Sequence, residues 1–238
     1  MRVIVCKDYE EMSKQAAKLV ASQVILKPES VLGFATGSTP VGLYRNLIKM
    51  YNDKEIDFSK AVGFNLDEYY PIDKDNSQSY HYFMQENLFK YINITKTFIP
   101  DGSAKEPEAE CESYDKLIDS YGGIDLQILG IGQNGHIGFN EPDENLNMNT
   151  HVTGLTESTI EANSRFFESV DDVPTHALTM GIASILKSKK IILLASGKNK
   201  HDAVKELMTA NITTLVPATM LKVHSDVVLI VDEEAYNG

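Results

Sequence analysis

One histidine of the sequence is enclosed by glycines. Residues 130–142 read Gly-Ile-Gly-Gln-Asn-Gly-His-Ile-Gly-Phe-Asn-Glu-Pro and continue an apolar run that we predict to be a strand. Glycines let the backbone approach a ligand closely and leave few side chains against which a purely structural histidine could pack. Asn134 and Glu141 are near enough in sequence to orient the imidazole of His136. This segment predicts an acid–base site at the end of a strand.

A pair of carboxylates follows another apolar run. Asp67 and Glu68 come directly after a predicted strand at residues 61–66 and are followed by two tyrosines. Because aromatic neighbours remove water from a carboxylate and so raise its pKa, Asp67 is a candidate general base. The alternative is an ordinary solvated acid in a loop.

The turn at residues 36–40, Thr-Gly-Ser-Thr-Pro, has the composition of an anion-binding loop. It separates a predicted strand from a predicted helix, so its hydroxyl groups and the N–H groups of the helix start could face a phosphate. The alternative is a plain helix cap, since neither the dinucleotide-binding nor the P-loop glycine spacing is present. The candidate phosphate ligands in this turn are Thr36, Gly37, Ser38 and Thr39.

Two basic residues are candidates for binding the same phosphate. Lys198 follows an apolar run within Ser-Gly-Lys-Asn, and Arg165 is followed by two phenylalanines. A cation at a strand end can bind a phosphate by a charge-assisted hydrogen bond. The alternatives are a solvated lysine and an arginine whose stem packs on aromatic rings.

The elements that must position these segments alternate along the chain. Short apolar runs are predicted as strands at 2–5, 31–34, 61–66, 97–99, 126–131, 176–179, 190–194 and 227–231. Segments of helical period lie at 8–26, around 43–48, at 79–91, 108–121, 182–186 and 199–208. This alternation predicts an open α/β fold with a parallel sheet, in which ligands bind beyond the carboxyl ends of the strands.

Composition places the chain among ordinary globular proteins. It has 238 residues, of which 42% are hydrophobic and 24% charged, enough to form a sizeable core. No linker or repeat divides it, so we predict one domain over residues 1–238. A lid is expected at about 140–175, where long periodic elements are lacking.

The net charge, the cysteines and the length of the apolar runs limit the binding partners and the cellular location that we expect. The formal net charge of −12 gives a long-range field that repels nucleic acids. Cys6 and Cys111 lack CxxC or metal-site spacing and are expected to be reduced thiols. No apolar run is of membrane-spanning length, and the first residues do not read as a signal peptide. We expect a cytoplasmic protein without nucleic-acid or membrane partners and without a metal site.

The motifs together resemble the glucosamine-6-phosphate deaminase family over nearly the whole chain. The resemblance implies a Rossmann-like three-layer α/β/α sandwich with a mostly parallel sheet. It also implies conversion of glucosamine 6-phosphate and water to fructose 6-phosphate and ammonia without a cofactor. In that family a histidine protonates the ring oxygen to open the sugar, and an aspartate moves a proton from C2 to C1. The motifs that carry the resemblance are residues 36–40, 64–69, 135–142, 162–167, 177–181 and 196–198.

The family's roles are carried over position by position. His136 corresponds to the ring-opening histidine, and Asp67 corresponds to the base of the isomerisation. Asn134 and Glu141 are the partners of the histidine. The phosphate ligands implied by the resemblance are Thr36, Gly37, Ser38, Thr39, Arg165 and Lys198.

Two departures from the family pattern carry expectations. Many members have an aspartate in place of Asn134, and a neutral amide does not stabilise an imidazolium as a carboxylate does. We therefore expect the acidic limb of the pH–rate profile to move when Asn134 is replaced by aspartate. Activated members carry basic residues after Asn-Glu-Pro and a longer C-terminal extension, whereas residues 147–154 here contain no Lys or Arg and the chain ends at Gly238. We expect a monomer with hyperbolic kinetics that N-acetylglucosamine 6-phosphate does not alter.

Two other functions compete with this one. The 6-phosphogluconolactonases share the fold and a Gly-His loop, but in their pattern the loop continues into Ala-Ser-Leu-Phe-Pro. A sugar-phosphate-sensing regulator on the same fold would need a DNA-binding module, and the sequence has neither a helix-turn-helix extension nor a basic patch.

Overall fold

A seven-stranded parallel sheet forms the centre of the protein in a computed structural model that describes residues 1–156, 160, 173–209 and 211–238. The strand order is β1-β10-β9-β6-β2-β3-β5, and every neighbouring pair is parallel. The described strands are β1 (Arg2–Cys6), β2 (Val31–Phe34), β3 (Val62–Asn65), β4 (Asp67–Tyr70), β5 (Lys96–Phe98), β6 (Leu126–Gly130), β7 (His151–Gly154), β8 (His176–Thr179), β9 (Lys190–Ala195) and β10 (Val227–Asp232).

Helices cover this sheet, and the central strands are buried almost throughout. Burial on both faces explains why these strands read as continuous apolar runs. Within the described ranges no helix is long and apolar enough to cross a membrane. The described α-helices are α1 (Tyr9–Leu26), α2 (Val41–Asn52), α3 (Tyr80–Asn87), α4 (Pro107–Ser120), α5 (Ile182–Leu186), α6 (His201–Leu207) and α7 (Glu233–Asn237), and the 3₁₀ turns are Phe89–Tyr91, Lys198–Lys200 and Pro217–Val223.

The order in which strands are added to the sheet changes side between β2 and β6, although the two strands are parallel. From β2 the chain proceeds to β3 and β5 on one side, whereas β6 is followed in the sheet by β9 and β10 on the other side. The crevice between such strands is where open α/β sheets bind ligands, because the two following loops diverge there. The predicted phosphate turn follows β2 and the Gly-His segment follows β6, so both open onto this crevice.

A second, three-stranded antiparallel sheet carries the candidate base. Its order is β4-β8-β7. The predicted strand at 61–66 ends at Asn65, and Asp67 is not in a loop but begins β4, opposite Thr179 of β8. The predicted strand at 176–179 is present but belongs to this small sheet and not to the parallel one. The sequence Asp-Glu-Tyr-Tyr has no apolar alternation, so its strand pairing was missed.

Several predicted boundaries also differ. The helix predicted at 79–91 ends at Asn87 and continues as a 3₁₀ turn, and the helix predicted at 199–208 begins with another such turn. Helix α7 and the turn at Pro217–Val223 were not predicted. Of the predicted lid at 140–175, residues 157–159 and 161–172 lie outside the described residues. The described part includes β7, and the lid itself stays a prediction.

Candidate functional site

A cavity of about 740 Å³ opens at the carboxyl ends of the central strands. The loops that follow β2, β6 and β9 line it, together with the start of β4 and the first residue of α3. Asp67, His136 and the turn at 36–39 all face this one cavity. The three segments with candidate chemistry therefore meet at one cavity, as expected if ligands bind beyond the carboxyl ends of parallel strands.

The turn after β2 presents backbone donors. Gly37 has a φ of +94°, a conformation that favours glycine. The N–H groups of Gly37, Ser38 and Thr39 have no protein acceptor among the described residues. The Tyr9 hydroxyl holds the turn in place, because it accepts the Gly42 N–H at 2.7 Å and donates to the Ser38 carbonyl at 3.1 Å. Neighbouring N–H groups without a protein acceptor are suited to bind an anion.

His136 and Glu141 form an oriented pair. The Nδ1 atom of His136 lies 3.2 Å from Oε2 of Glu141, and the imidazole keeps 24% of its surface exposed. Asn134 contacts the carboxylate and not the ring: its amide donates to Oε2 of Glu141 at 2.7 Å. Its side-chain oxygen accepts the backbone N–H of His136 at 3.2 Å. Asn134 therefore orients the imidazole through Glu141, which differs from direct contact with the ring.

Gly132 makes room for the imidazole. A Cβ atom at this position would lie only 2.4 Å from the ring of His136. The histidine ring lies against this glycine, a close approach that the sequence did not predict. The imidazole is therefore positioned by its contacts with Gly132 and Glu141, and not by packing in the hydrophobic core.

Asp67 is buried, with 5% of its surface exposed, and this excludes the alternative of a solvated loop acid. Burial first, and the neighbouring charge of Glu68 second, raise the pKa of Asp67 well above its ordinary value. Among the described residues its carboxylate has no hydrogen-bond donor, so the side chain is left to interact with a ligand in the cavity. Burial also raises the pKa of Glu68 to about 7, although three backbone N–H groups oppose that shift.

Of the two predicted cations, only Lys198 lies among the described residues. Lys198 is exposed and is not among the residues that line the cavity, whereas Lys200 is. Both belong to one 3₁₀ turn, in which residues two apart point in different directions. In the sequence Lys198 is distinguished by the glycine directly before it, whereas Lys200 has the appearance of an ordinary solvated lysine. The other predicted cation, Arg165, lies outside the described residues.

Tyr80 is a further cavity residue that sequence reasoning missed. It begins α3, directly after the Ser79 N-cap, and so reads as an ordinary helix start.

In the part of the chain that the structure describes, no cluster of three or more His, Cys, Asp or Glu side chains could hold a metal ion.

Comparison with known proteins yields one family. The family model described as glucosamine-6-phosphate isomerases/6-phosphogluconolactonase matches residues 7–230. A protein of Halothermothrix orenii named glucosamine-6-phosphate deaminase is 60% identical over 99% of this chain and 98% of its own. A protein of Clostridium perfringens with the same name is 59% identical, with the same two coverages.

Solved structures give the same result. A structure described as a monomeric glucosamine-6-phosphate deaminase matches with a TM-score of 0.97 and 48% identity, over 99% of this chain and 98% of its own. A 6-phosphogluconolactonase from Trypanosoma cruzi matches with a TM-score of 0.79 over 98% and 95% of the two chains, but at 19% identity it shows the fold alone. These matches establish the Rossmann-like α/β architecture with its mostly parallel sheet, and the chain belongs to the family of glucosamine-6-phosphate isomerases and 6-phosphogluconolactonases.

Proposed function

We propose that this protein is a glucosamine-6-phosphate deaminase, which converts glucosamine 6-phosphate and water to fructose 6-phosphate and ammonia. The observation that carries the proposal is that Asp67, His136 and the turn at 36–39 line the same cavity. An acid–base pair and an anion cradle in one cavity suit a phosphorylated substrate that must lose and gain protons on carbon and oxygen. The deaminases that are 60% and 59% identical over nearly the whole chain support the same activity.

The first step is opening of the sugar ring. Nε2 of neutral His136 takes the proton of the C1 hydroxyl and delivers it to the ring oxygen as the bond between C1 and that oxygen breaks, and the ring becomes an open-chain aldehyde. Because Nδ1 faces Glu141, the other ring nitrogen is the one available to the substrate. Glu141 stabilises the imidazolium by its charge, and Asn134 fixes the carboxylate that does so.

The second step moves a proton between carbons. The Asp67 carboxylate removes the proton from C2, and the electron pair forms a C1=C2 double bond while the C1 oxygen takes a proton from the ammonium group of the substrate, which gives an enolamine. The proton then returns at C1, so that C2 becomes an imine carbon. Water adds there, ammonia leaves, and the ketone of fructose 6-phosphate remains. A positioned general acid or base of this kind contributes about 10² to 10⁴ in rate.

The phosphate is bound by the turn after β2, which lines the same cavity as Asp67 and His136. The N–H groups of residues 37–39 and the hydroxyls of Thr36, Ser38 and Thr39 are its donors. Lys200 supplies the positive charge, because it lines the cavity and Lys198 does not. A role for Lys198 or Arg165 in this binding stays a prediction.

The segment after the histidine favours the deaminase over a lactonase. It continues as Gly-Phe-Asn-Glu-Pro and so supplies Glu141, whose carboxylate faces Nδ1 of His136. In the lactonase pattern the Gly-His loop continues as Ala-Ser-Leu-Phe-Pro, which contains no carboxylate. The lactonases among the solved structures support only the shared fold.

The enzyme works as a cytoplasmic monomer without allosteric activation. The solved deaminase that is 48% identical is described as monomeric. Residues 147–154 contain no Lys or Arg to bind a phosphorylated activator. The rate therefore follows a hyperbolic curve with or without N-acetylglucosamine 6-phosphate.

Product analysis with three substrates tests the proposal. Glucosamine 6-phosphate should give fructose 6-phosphate and ammonia in equal amounts. Glucosamine, which lacks the phosphate, should react far more slowly, and 6-phosphogluconolactone should be hydrolysed no faster than in buffer. Hydrolysis of the lactone without release of ammonia from the amino sugar would overturn it.

A further inference from the structure

The carboxylate next to the base faces away from the cavity and binds the start of a helix. Glu68 is 2% exposed. It accepts three backbone N–H bonds, from Tyr69 at 2.9 Å, Tyr80 at 2.7 Å and His81 at 2.8 Å. Asp67 and Glu68 are neighbours on β4, so their side chains point to opposite faces of the strand. One face of β4 therefore presents the base, and the other holds the first turn of α3.

This hydrogen bonding places the ring of Tyr80 where three parts of the site meet. Tyr80 lines the cavity together with Thr36 of the phosphate turn, and its hydroxyl lies near the side chains of Thr36 and of Tyr69 in β4. Its ring lies parallel to that of Phe139, in the Gly-His segment, with centroids 6.0 Å apart and an interplanar angle of 4°. The rings of Tyr69 and Tyr80 have centroids 4.6 Å apart. Tyr80 thus contacts the phosphate turn, the strand of the base and the segment of the histidine.

We propose that Tyr80, held through its backbone by Glu68, is a positioning residue that fixes the phosphate turn relative to Asp67 and His136. A phosphate bound at this turn then places C2 of the sugar within reach of the base. Sub-ångström placement of this kind affects the rate because the reacting atoms must be aligned before the proton moves. The inference rests on the proposed function.

A purely structural role for Glu68 is the competing explanation, and the chain offers a matched control for it. Ser79 caps the same helix start by accepting the Tyr82 N–H at 2.9 Å. Ser79 contacts neither the phosphate turn nor the base in the described hydrogen bonds. Loss of either acceptor weakens the start of α3, but only Glu68 binds the backbone of Tyr80.

The test is a double-mutant cycle with Glu68→Gln, Tyr80→Phe and the combination, beside Ser79→Ala. Glutamine keeps the shape but turns an NH₂ group toward one of the three donors, and phenylalanine removes only the hydroxyl. Each single variant should lower kcat/KM about tenfold, as expected from loss of one buried hydrogen bond. The double variant should be no worse than the more affected single one, because both act through the same side chain. Ser79→Ala should lower Tm and leave kcat/KM within about twofold.

If the fold-loss of kcat/KM in the double variant equals the product of the two single-variant losses, the proposal is overturned. An equal loss of kcat/KM in Ser79→Ala and Glu68→Gln at a similar loss of Tm would also overturn it. If Glu68→Gln does not fold, Tyr80→Phe alone decides: calorimetric titration with inorganic phosphate should show about tenfold weaker binding than wild type, and unchanged binding contradicts the link to Thr36. The phosphate titration needs no turnover. Wild type without deaminase activity would therefore refute the proposed function separately, whereas an active wild type with unaffected variants refutes only this inference.

Discussion

Oε2 of Glu141 lies 3.2 Å from Nδ1 of His136 and at the same time accepts the Asn134 amide at 2.7 Å. A carboxylate oxygen shared in this way keeps the proton of the neutral imidazole on Nδ1 and leaves Nε2 for the substrate. The carboxylate itself is held by Asn134, so the orientation of the imidazole depends on both neighbours. This arrangement determines what substitutions at these positions should do.

Asn134→Asp should move the acidic limb of the kcat/KM–pH profile to higher pH. The new carboxylate would lie against that of Glu141, and the added negative charge favours the imidazolium of His136. The measurement is kcat/KM across the pH range for both proteins, and superimposable acidic limbs would refute the expectation.

Gly132→Ala should lower kcat by about 100-fold, the contribution of one positioned acid–base group. The added methyl would lie 2.4 Å from the imidazole, so the ring must leave its place beside Glu141. Gly154→Ala is the matched control, because its Cβ meets nothing within 4 Å among the described residues. Steady-state kinetics of the two variants would decide, and equal activity in both would show that the ring tolerates displacement.

Lys200→Ala should raise KM for glucosamine 6-phosphate about tenfold or more, since a charge-assisted hydrogen bond to phosphate is lost. Lys198→Ala should change KM by less than about twofold, because an exposed lysine outside the cavity makes only a weak, screened contribution. Comparing KM for the two variants side by side tests the assignment. The reverse ranking would restore Lys198 as the phosphate ligand.

Asp67→Asn should stabilise the fold at neutral pH. Burial and then the charge of Glu68 raise the pKa of Asp67 in the folded protein, so folding disfavours its ionised form. Asp67 therefore lowers the free energy of unfolding at any pH well above the pKa that this residue has in the unfolded chain. The penalty disappears below about pH 4, because the aspartate is then protonated in the unfolded chain as well. A 1 kcal/mol gain corresponds to about 2–4 °C in Tm for a chain of this size. Calorimetry should show a higher Tm for the variant at pH 7 and converging values in acid, whereas a lower Tm at pH 7 would contradict the expected sign.

Much of the parallel sheet could be predicted from the sequence. Strands such as β6 and β9 are buried on both faces and so appear as continuous apolar runs that need no partner to be recognised. Strand β4 could not be predicted, because a run of two acids and two tyrosines becomes a strand only through pairing with β8. The apolar run at 176–179 was found, but nothing in it indicates which sheet it joins.

The candidate site also contains some residues that could be predicted from the sequence and others that could not. The glycines around His136 and the donors of the turn at 36–39 are local features, and local sequence revealed them. Tyr80 and Lys200 belong to the site because of where distant elements place them, and neither has an unusual neighbour in sequence. Asn134 was found, but its contact with Glu141 in place of the ring depends on the fold of the loop.

The most direct test is a coupled assay for fructose 6-phosphate and ammonia on wild type, Asp67→Asn and His136→Gln. Wild type should release both products in equal amounts. Each variant should lose about 10² to 10⁴ of the rate, because each removes one group that moves a proton in the same cavity. Wild-type turnover by Asp67→Asn, or ammonia released without fructose 6-phosphate, would contradict the account.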